Sequence, residues 1–282
     1  MSNVLKMQPR HQKDLVFIVS GGRTGTKFFG KALNTIIENC YAVNEPDMMP
    51  DPYKSGYREY VHRMRTFCLY HMVIGRIRGE TGVRNLARKR LSHELGGDMK
   101  TTRQAIHKHR DSFHAGIQQS LVIESYFQWY GLLPEMREVY PNAKVAAIVR
   151  DPREWVQSWL NYKGHHDTRD MVLTFGQPRL TPAMIGDQKW ADLWSNMSVF
   201  HKLCWDWKTI YFLVDAFAQY DELTAAFRFE DLFDPDRPDM RRAFLDFVTK
   251  HGERNYAYRD DNALFGQRIN ASSGRTVGWT NW

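Results

Sequence analysis

Cysteine is scarce in this chain. Three stand in 282 residues, Cys40, Cys68 and Cys204, with no CxxC pair and no histidine-rich partner. That argues against a disulfide framework or a structural zinc site and leaves them as expected reduced core cysteines of a cytoplasmic protein. Long apolar runs are missing as well. The opening MSNVLKMQPRHQKD has no signal-peptide core, and no later stretch approaches the length of a membrane span. Repeats, low-complexity tracts and clear linkers are absent, so residues 1–282 read as one domain, long enough to bury a substantial core. There is no nucleic-acid-binding motif and no interleaved basic and aromatic pattern. The net charge of +7 therefore points to acidic ligands such as phosphates, sulfates or anionic glycans, with no nucleic acid expected.

What is present is organised around DLVFIVSGGRTGTKFFGKAL, Asp14 to Leu33. Leu15 to Val19 is apolar and largely β-branched, as suits a strand buried on both faces of a parallel sheet. A loop of small residues follows, and from Lys27 the spacing turns helical, with Phe28, Phe29, Ala32, Leu33, Ile36 and Ile37 on one face. A strand, a glycine-rich loop and a helix start form a phosphate cradle: Gly22 and Gly25 let backbone approach an anion, and free N–H groups of Thr24 to Lys27 point at it. The nucleoside-triphosphate loop GxxxxGK[ST] does not fit, because Phe28 stands where its magnesium-binding hydroxyl belongs.

A second strand-to-helix junction lies at Lys144 to Tyr162, KVAAIVRDPREWVQSWLNY. Asp151 and Pro152 suit the start of a helix. Ser158 follows Arg150 by eight residues, a little over two helical turns.

Arg23-Thr24-Gly25-Thr26 closely resembles the 5′-phosphosulfate loop, roughly [KR]-[ST]-G-T-[TK], of sulfotransferases that use 3′-phosphoadenosine 5′-phosphosulfate (PAPS). Arg150, Asp151-Pro152 and Ser158 are similar to the family's 3′-phosphate motif. The resemblance covers Ser20 to Lys27 and Val122 to Trp159, and weakly Phe227 to Leu232. It implies a P-loop-like α/β fold, a central parallel sheet flanked by helices, and PAPS as co-substrate with no metal. Gly22, Arg23, Thr24, Gly25, Thr26, Lys27, Arg150 and Ser158 would hold the donor. Arg275 in the tail gives a partial match to the loop that closes over the 3′-phosphate. Arg23 and Lys27 are then the catalytic cations. A carboxylate base is implied too: Glu45, which follows the short strand Cys40 to Val43, or Glu124, which ends the strand Ser120 to Ser125.

The remaining segments are read as the acceptor side. Lys54 to Arg110 carries fourteen Lys or Arg against four acids, with Val61, Met64, Phe67, Cys68 and Met72 at helical spacing and breaks at Gly79 to Gly82 and Gly96-Gly97. It is expected as a basic helical insertion over 54–119, either an acceptor cleft or a solvated basic face. Residues 164–186 suit a lid loop. Its adjacent His165 and His166 are expected to point apart, which argues against a metal. The tryptophans between Asp187 and Tyr220 suit core packing or stacking on a ligand. The acceptor expected is a small molecule, carbohydrate or glycolipid with a hydroxyl or amine, and the sequence leaves the oligomeric state open. Two other readings remain: a magnesium-dependent nucleotide or small-molecule kinase, and a non-catalytic nucleotide-binding protein of the same fold.

Overall fold

The computed structural model describes residues 13–49, 56–93, 99–162, 164–174 and 177–266. The tail with Arg275, and Gly96-Gly97, lie outside them. In chain order, β1 (Asp14–Ser20) leads through the glycine loop into α1 (Thr26–Ile36), followed by β2 (Cys40–Asn44). Next come α2 (Tyr57–Leu69), α3 (Val83–Leu91), α4 (Met99–Ala115), β3 (Leu121–Ser125) and α5 (Leu133–Val139). The chain continues with β4 (Lys144–Val149), α6 (Pro152–Tyr162), α7 (Val199–Ala218), β5 (Thr224–Arg228) and α8 (Pro238–Thr249).

The five strands form one sheet in the order β2-β3-β1-β4-β5, and every pairing is parallel. β1 is central and buried along its whole length, which is why its sequence shows no polar alternation. Because the strands run parallel, their carboxyl ends share one edge. The glycine loop leaves from the middle of that edge, where ligands of open α/β sheets bind.

Helices cover both faces. Val16, Ile18, Ile123, Ala146 and Ile148 pack against Phe28, Phe29 and Leu33 of α1 and Phe244, Leu245 and Val248 of α8. On the other face Phe17, Val19, Val122 and Val145 meet Phe67, Val83, Leu86, Ile106, Phe113 and Trp129. The basic segment is thus the sheet's second covering layer, and several of its arginines are interior: Arg63, Arg76 and Arg110 are all buried. A solvated basic face does not describe it. Its breaks fall where glycine permits positive φ, at Gly79 and Gly82.

Two cysteine expectations need correction. Cys40 is buried, but Cys68 and Cys204 are exposed. Cys68 leaves the apolar face because its backbone flips to φ 47, ψ 166 at a kink in α2, after which the chain makes a single π-turn, Tyr70–Ile74.

One glycine is a packing requirement. A Cβ on Gly30 would stand 2.4 Å from the backbone N of Asn44, so α1 lies directly on the end of β2, closer than any side chain permits.

Candidate active site

The loop after β1 is built from inside. Ser20 Oγ accepts from Gly22 N (3.1 Å) and from Thr24 Oγ1 (2.7 Å), so the Thr24 hydroxyl, fully buried, serves the loop. Trp155 Nε1 donates to the carbonyls of Gly21 (3.2 Å) and Gly22 (2.9 Å). Turning those carbonyls toward α6 fixes which side of the loop presents N–H groups. Gly22, Arg23 and Gly25 have φ of 74, 54 and 75, a succession that makes the backbone concave toward an anion. Gly25 caps α1 without a side chain, and no acid stands in its first turn. The helix start is therefore electropositive.

Arg23 joins the two motifs the sequence separates by more than a hundred residues. Its Nε donates to Ser158 Oγ at 3.0 Å, its guanidinium lies 4.9 Å from the Tyr162 ring centre, and its carbonyl accepts from Arg150 Nη1 at 2.7 Å. The expected Arg150 and Ser158 pair is thus brought together through Arg23. The Arg23 side chain stands with the second motif, while its backbone belongs to the first. Lys27, exposed on the first turn of α1, remains the cation beside the loop.

The two carboxylates differ sharply. Glu124 is 1% exposed and accepts from Arg110 Nε (2.9 Å), with His114 Nε2 at 2.6 Å. Burial works against its charge, but Arg110 and His114 outweigh it and hold the carboxyl below the usual range. It lies beneath the sheet edge, in the layer between sheet and α4. Glu45 is half-buried at the edge itself, just past β2. Burial, then the neighbouring Asp47 carboxylate, push it up from its ordinary value, while Arg76, Arg84 and Lys27 partly offset them. Asp47 in turn is held ionised against burial by Arg110 and Arg76, at 3.3 Å from Arg110 Nη2 and 3.7 Å from Arg76 Nη1. The Glu45 backbone has φ 46, a left-handed conformation costing a glutamate about 1–3 kcal/mol.

A family model described as a sulfotransferase domain matches residues 15–227. The chain is a member of the sulfotransferase family. Three solved structures are similar at lower identity. A sulfotransferase domain from the curacin biosynthetic pathway is 13% identical, with 89% of each chain covered and a TM-score of 0.41. A sulfotransferase from Alicyclobacillus acidocaldarius is 14% identical, covering 86% of this chain and 84% of that one at 0.42. One from Mycobacterium tuberculosis is 18% identical, covering 93% and 77% at 0.45. Comparison with curated proteins finds no match. No helix among the described residues is long and apolar enough to cross a membrane.

Around the sheet edge of this sulfotransferase lie further residues that no sequence motif marks. Arg84, on the first turn of α3, is brought down to about 10 by burial and then by the facing charge of Arg179. Gln177 reaches the helical turn after the π-turn, its Nε2 donating to Ile77 O at 2.6 Å. The expectation that His165 and His166 diverge is overturned. Both Nε2 atoms lie 2.7 Å from Asp206 Oδ2, because His166 takes φ 56 and turns back toward α7. Burial, then the charge of Arg179, bring His165 down to about 4, so its neutral ring donates to a strongly acidic Asp206. His165, His166 and Asp206 each offer one ligand atom within 4.8 Å of the others, so the geometric argument against a metal falls with that expectation. Asp206, forty residues downstream inside an aromatic helix, gave no signal in the sequence.

Proposed function

We propose that this sulfotransferase transfers the sulfuryl group of PAPS to a hydroxyl, or an amine, of a small-molecule, carbohydrate or glycolipid acceptor, with Glu45 as the general base. The observation that carries the reading is Arg23, which links an uncapped, concave helix start to Arg150 and Ser158. Two anion sites joined by one residue suit a donor with phosphate groups at both ends of a nucleoside. Phe28 is packed against Phe29, Phe233 and Phe265, which leaves no hydroxyl at the position a magnesium-dependent kinase loop would use.

In this proposal PAPS supplies an activated sulfuryl group and a stable leaving phosphate. The protein's work is alignment and charge. Loop amides of Thr24 to Lys27 and the Lys27 ammonium hold the 5′ end and take up charge that builds on the bridging oxygen as the S–O bond breaks. Arg150 and Ser158 hold the 3′ end. Glu45 takes the proton from the acceptor hydroxyl as its oxygen bonds to sulfur, leaving 3′-phosphoadenosine 5′-phosphate and a sulfate ester. Geometry favours Glu45 over Glu124, whose oxygens are occupied by Arg110 and His114.

Calorimetry with 3′-phosphoadenosine 5′-phosphate in EDTA tests the donor. Tight binding without metal, with ATP much weaker, is expected. A preference for ATP, or binding lost on chelation, refutes the reading in favour of a kinase.

A further inference from the structure

Arg63 lies in α2 among cations that face water. Arg58 and Arg65 are exposed, while Arg63 is 5% exposed. Its guanidinium serves three successive carbonyls: Nε donates to Pro46 O at 2.9 Å, and Nη2 to Asn44 O at 3.2 Å and Glu45 O at 2.6 Å. Nη1 is held by Glu59 Oε1 at 3.1 Å. These three residues are the end of β2, the left-handed Glu45 and the proline that follows it.

That placement selects a conformation. A residue before proline is steered to extended backbone, and one carrying a Cβ avoids positive φ; Glu45 goes against both. Such a conformation persists only where the surroundings over-determine it. Glu45 N donates to Ser125 O at 3.2 Å, and Met48 N donates to Glu45 O at 3.0 Å, which fixes the strand side and the following turn. Arg63 fixes the turn from the helical layer. A planar guanidinium can reach three carbonyls at once, and an ammonium cannot reproduce that fork.

We propose that Arg63 is a positioning residue for sulfuryl transfer, clamping the Asn44–Pro46 turn so that the Glu45 carboxylate is held at the sheet edge near Lys27. The proposal rests on Glu45 being the base. Released from the clamp, Glu45 relaxes to negative φ, its Cβ swings away from the edge, and its carboxylate gains water. Donor binding, which uses other elements, is unaffected.

The test uses the full chain with PAPS and water as acceptor, read as release of inorganic sulfate. Three measurements accompany it: affinity for 3′-phosphoadenosine 5′-phosphate, near-ultraviolet circular dichroism, and titration of Glu45 by carbon-13 NMR of its carboxyl. Arg63→Met and Arg63→Lys should lower sulfate release by roughly 10–100-fold, the scale of a small misplacement of a reacting group. Nucleotide affinity should stay unchanged and the Glu45 titration should move down toward the ordinary glutamate range. Added guanidinium ion should restore part of the Arg63→Met rate, and Arg63→Lys placed on Glu45→Gln should add no further loss. Should Arg63→Met fail to fold, Arg63→Lys carries the same readouts. A normal rate with an unmoved Glu45 titration in a folded Arg63→Lys overturns the clamp. Failure of the base reading looks different: Glu45→Gln alone would leave sulfate release intact.

Discussion

Glu124→Gln separates structure from catalysis at the site's two carboxylates. Glu124 is buried between Arg110 and His114, and removing one member of a buried ionic cluster costs about 3–5 kcal/mol. Arg110 keeps Asp47 at 3.3 Å, and the glutamine carbonyl still accepts one hydrogen bond. The expected loss is therefore nearer the lower end, roughly 2–4 kcal/mol, lowering Tm by roughly 5–15 °C. Urea unfolding followed by tryptophan fluorescence measures it. The pH dependence provides a second check. Because the folded state holds Glu124 below its ordinary 4.5, its contribution is fully present above that value and is lost as pH falls through the folded value. Stability curves of wild type and variant should thus run apart at neutral pH and converge in acid. Sulfuryl transfer by the folded variant should be close to normal. A variant of unchanged stability and nucleotide affinity that has lost transfer would refute this reasoning and make Glu124 the base.

Three further outcomes are expected. Glu45→Gln keeps the shape of the side chain but not its basicity, so kcat should fall by about 10²–10⁴ with nucleotide affinity little changed; near-normal turnover excludes Glu45 as base. The acid limb of the wild-type rate should lie above the ordinary glutamate value of 4.5, and Asp47→Asn, by removing a neighbouring negative charge, should move it to lower pH; an unmoved limb means another group titrates. Arg150→Ala should weaken 3′-phosphoadenosine 5′-phosphate by about 1.5–3 kcal/mol and adenosine 5′-phosphosulfate clearly less, through the lost bond to Arg23 O alone; equal losses for both, by calorimetry, make Arg150 structural.

The sheet and both strand-to-helix junctions were legible because they are local: an apolar run, small residues, then a helical stripe. Glu45, Arg150 and Ser158 were singled out by the resemblance to the sulfotransferases, and their positions beyond the ends of β2 and β4 follow from the strands that precede them. The link between the motifs was not legible, since Arg23 reaches Ser158 only once β1 and β4 lie side by side. Arg63, Arg76 and Arg110 share a basic stretch with arginines that do face solvent, and composition cannot sort one from the other. Only the folded layer reveals which guanidinium meets Asp47, Glu124 or a row of carbonyls. His165 and His166 were misjudged because the expectation assumed ordinary backbone, and φ 56 at His166 reverses the direction of its ring.

The contact at Gly30 bears on how such a protein can change over time. With α1 seated on Asn44 through backbone atoms, the spacing between the anion cradle and the residue after β2 is set by main chain. It does not depend on side chains that drift. Substitutions on the exposed faces of α2 to α4 can then change the surface beside the site while the offset from the glycine loop to Glu45 stays constant. On the proposed assignment of Glu45 as base, that offset is the dimension on which transfer depends, and Gly30 is the position where it would be lost.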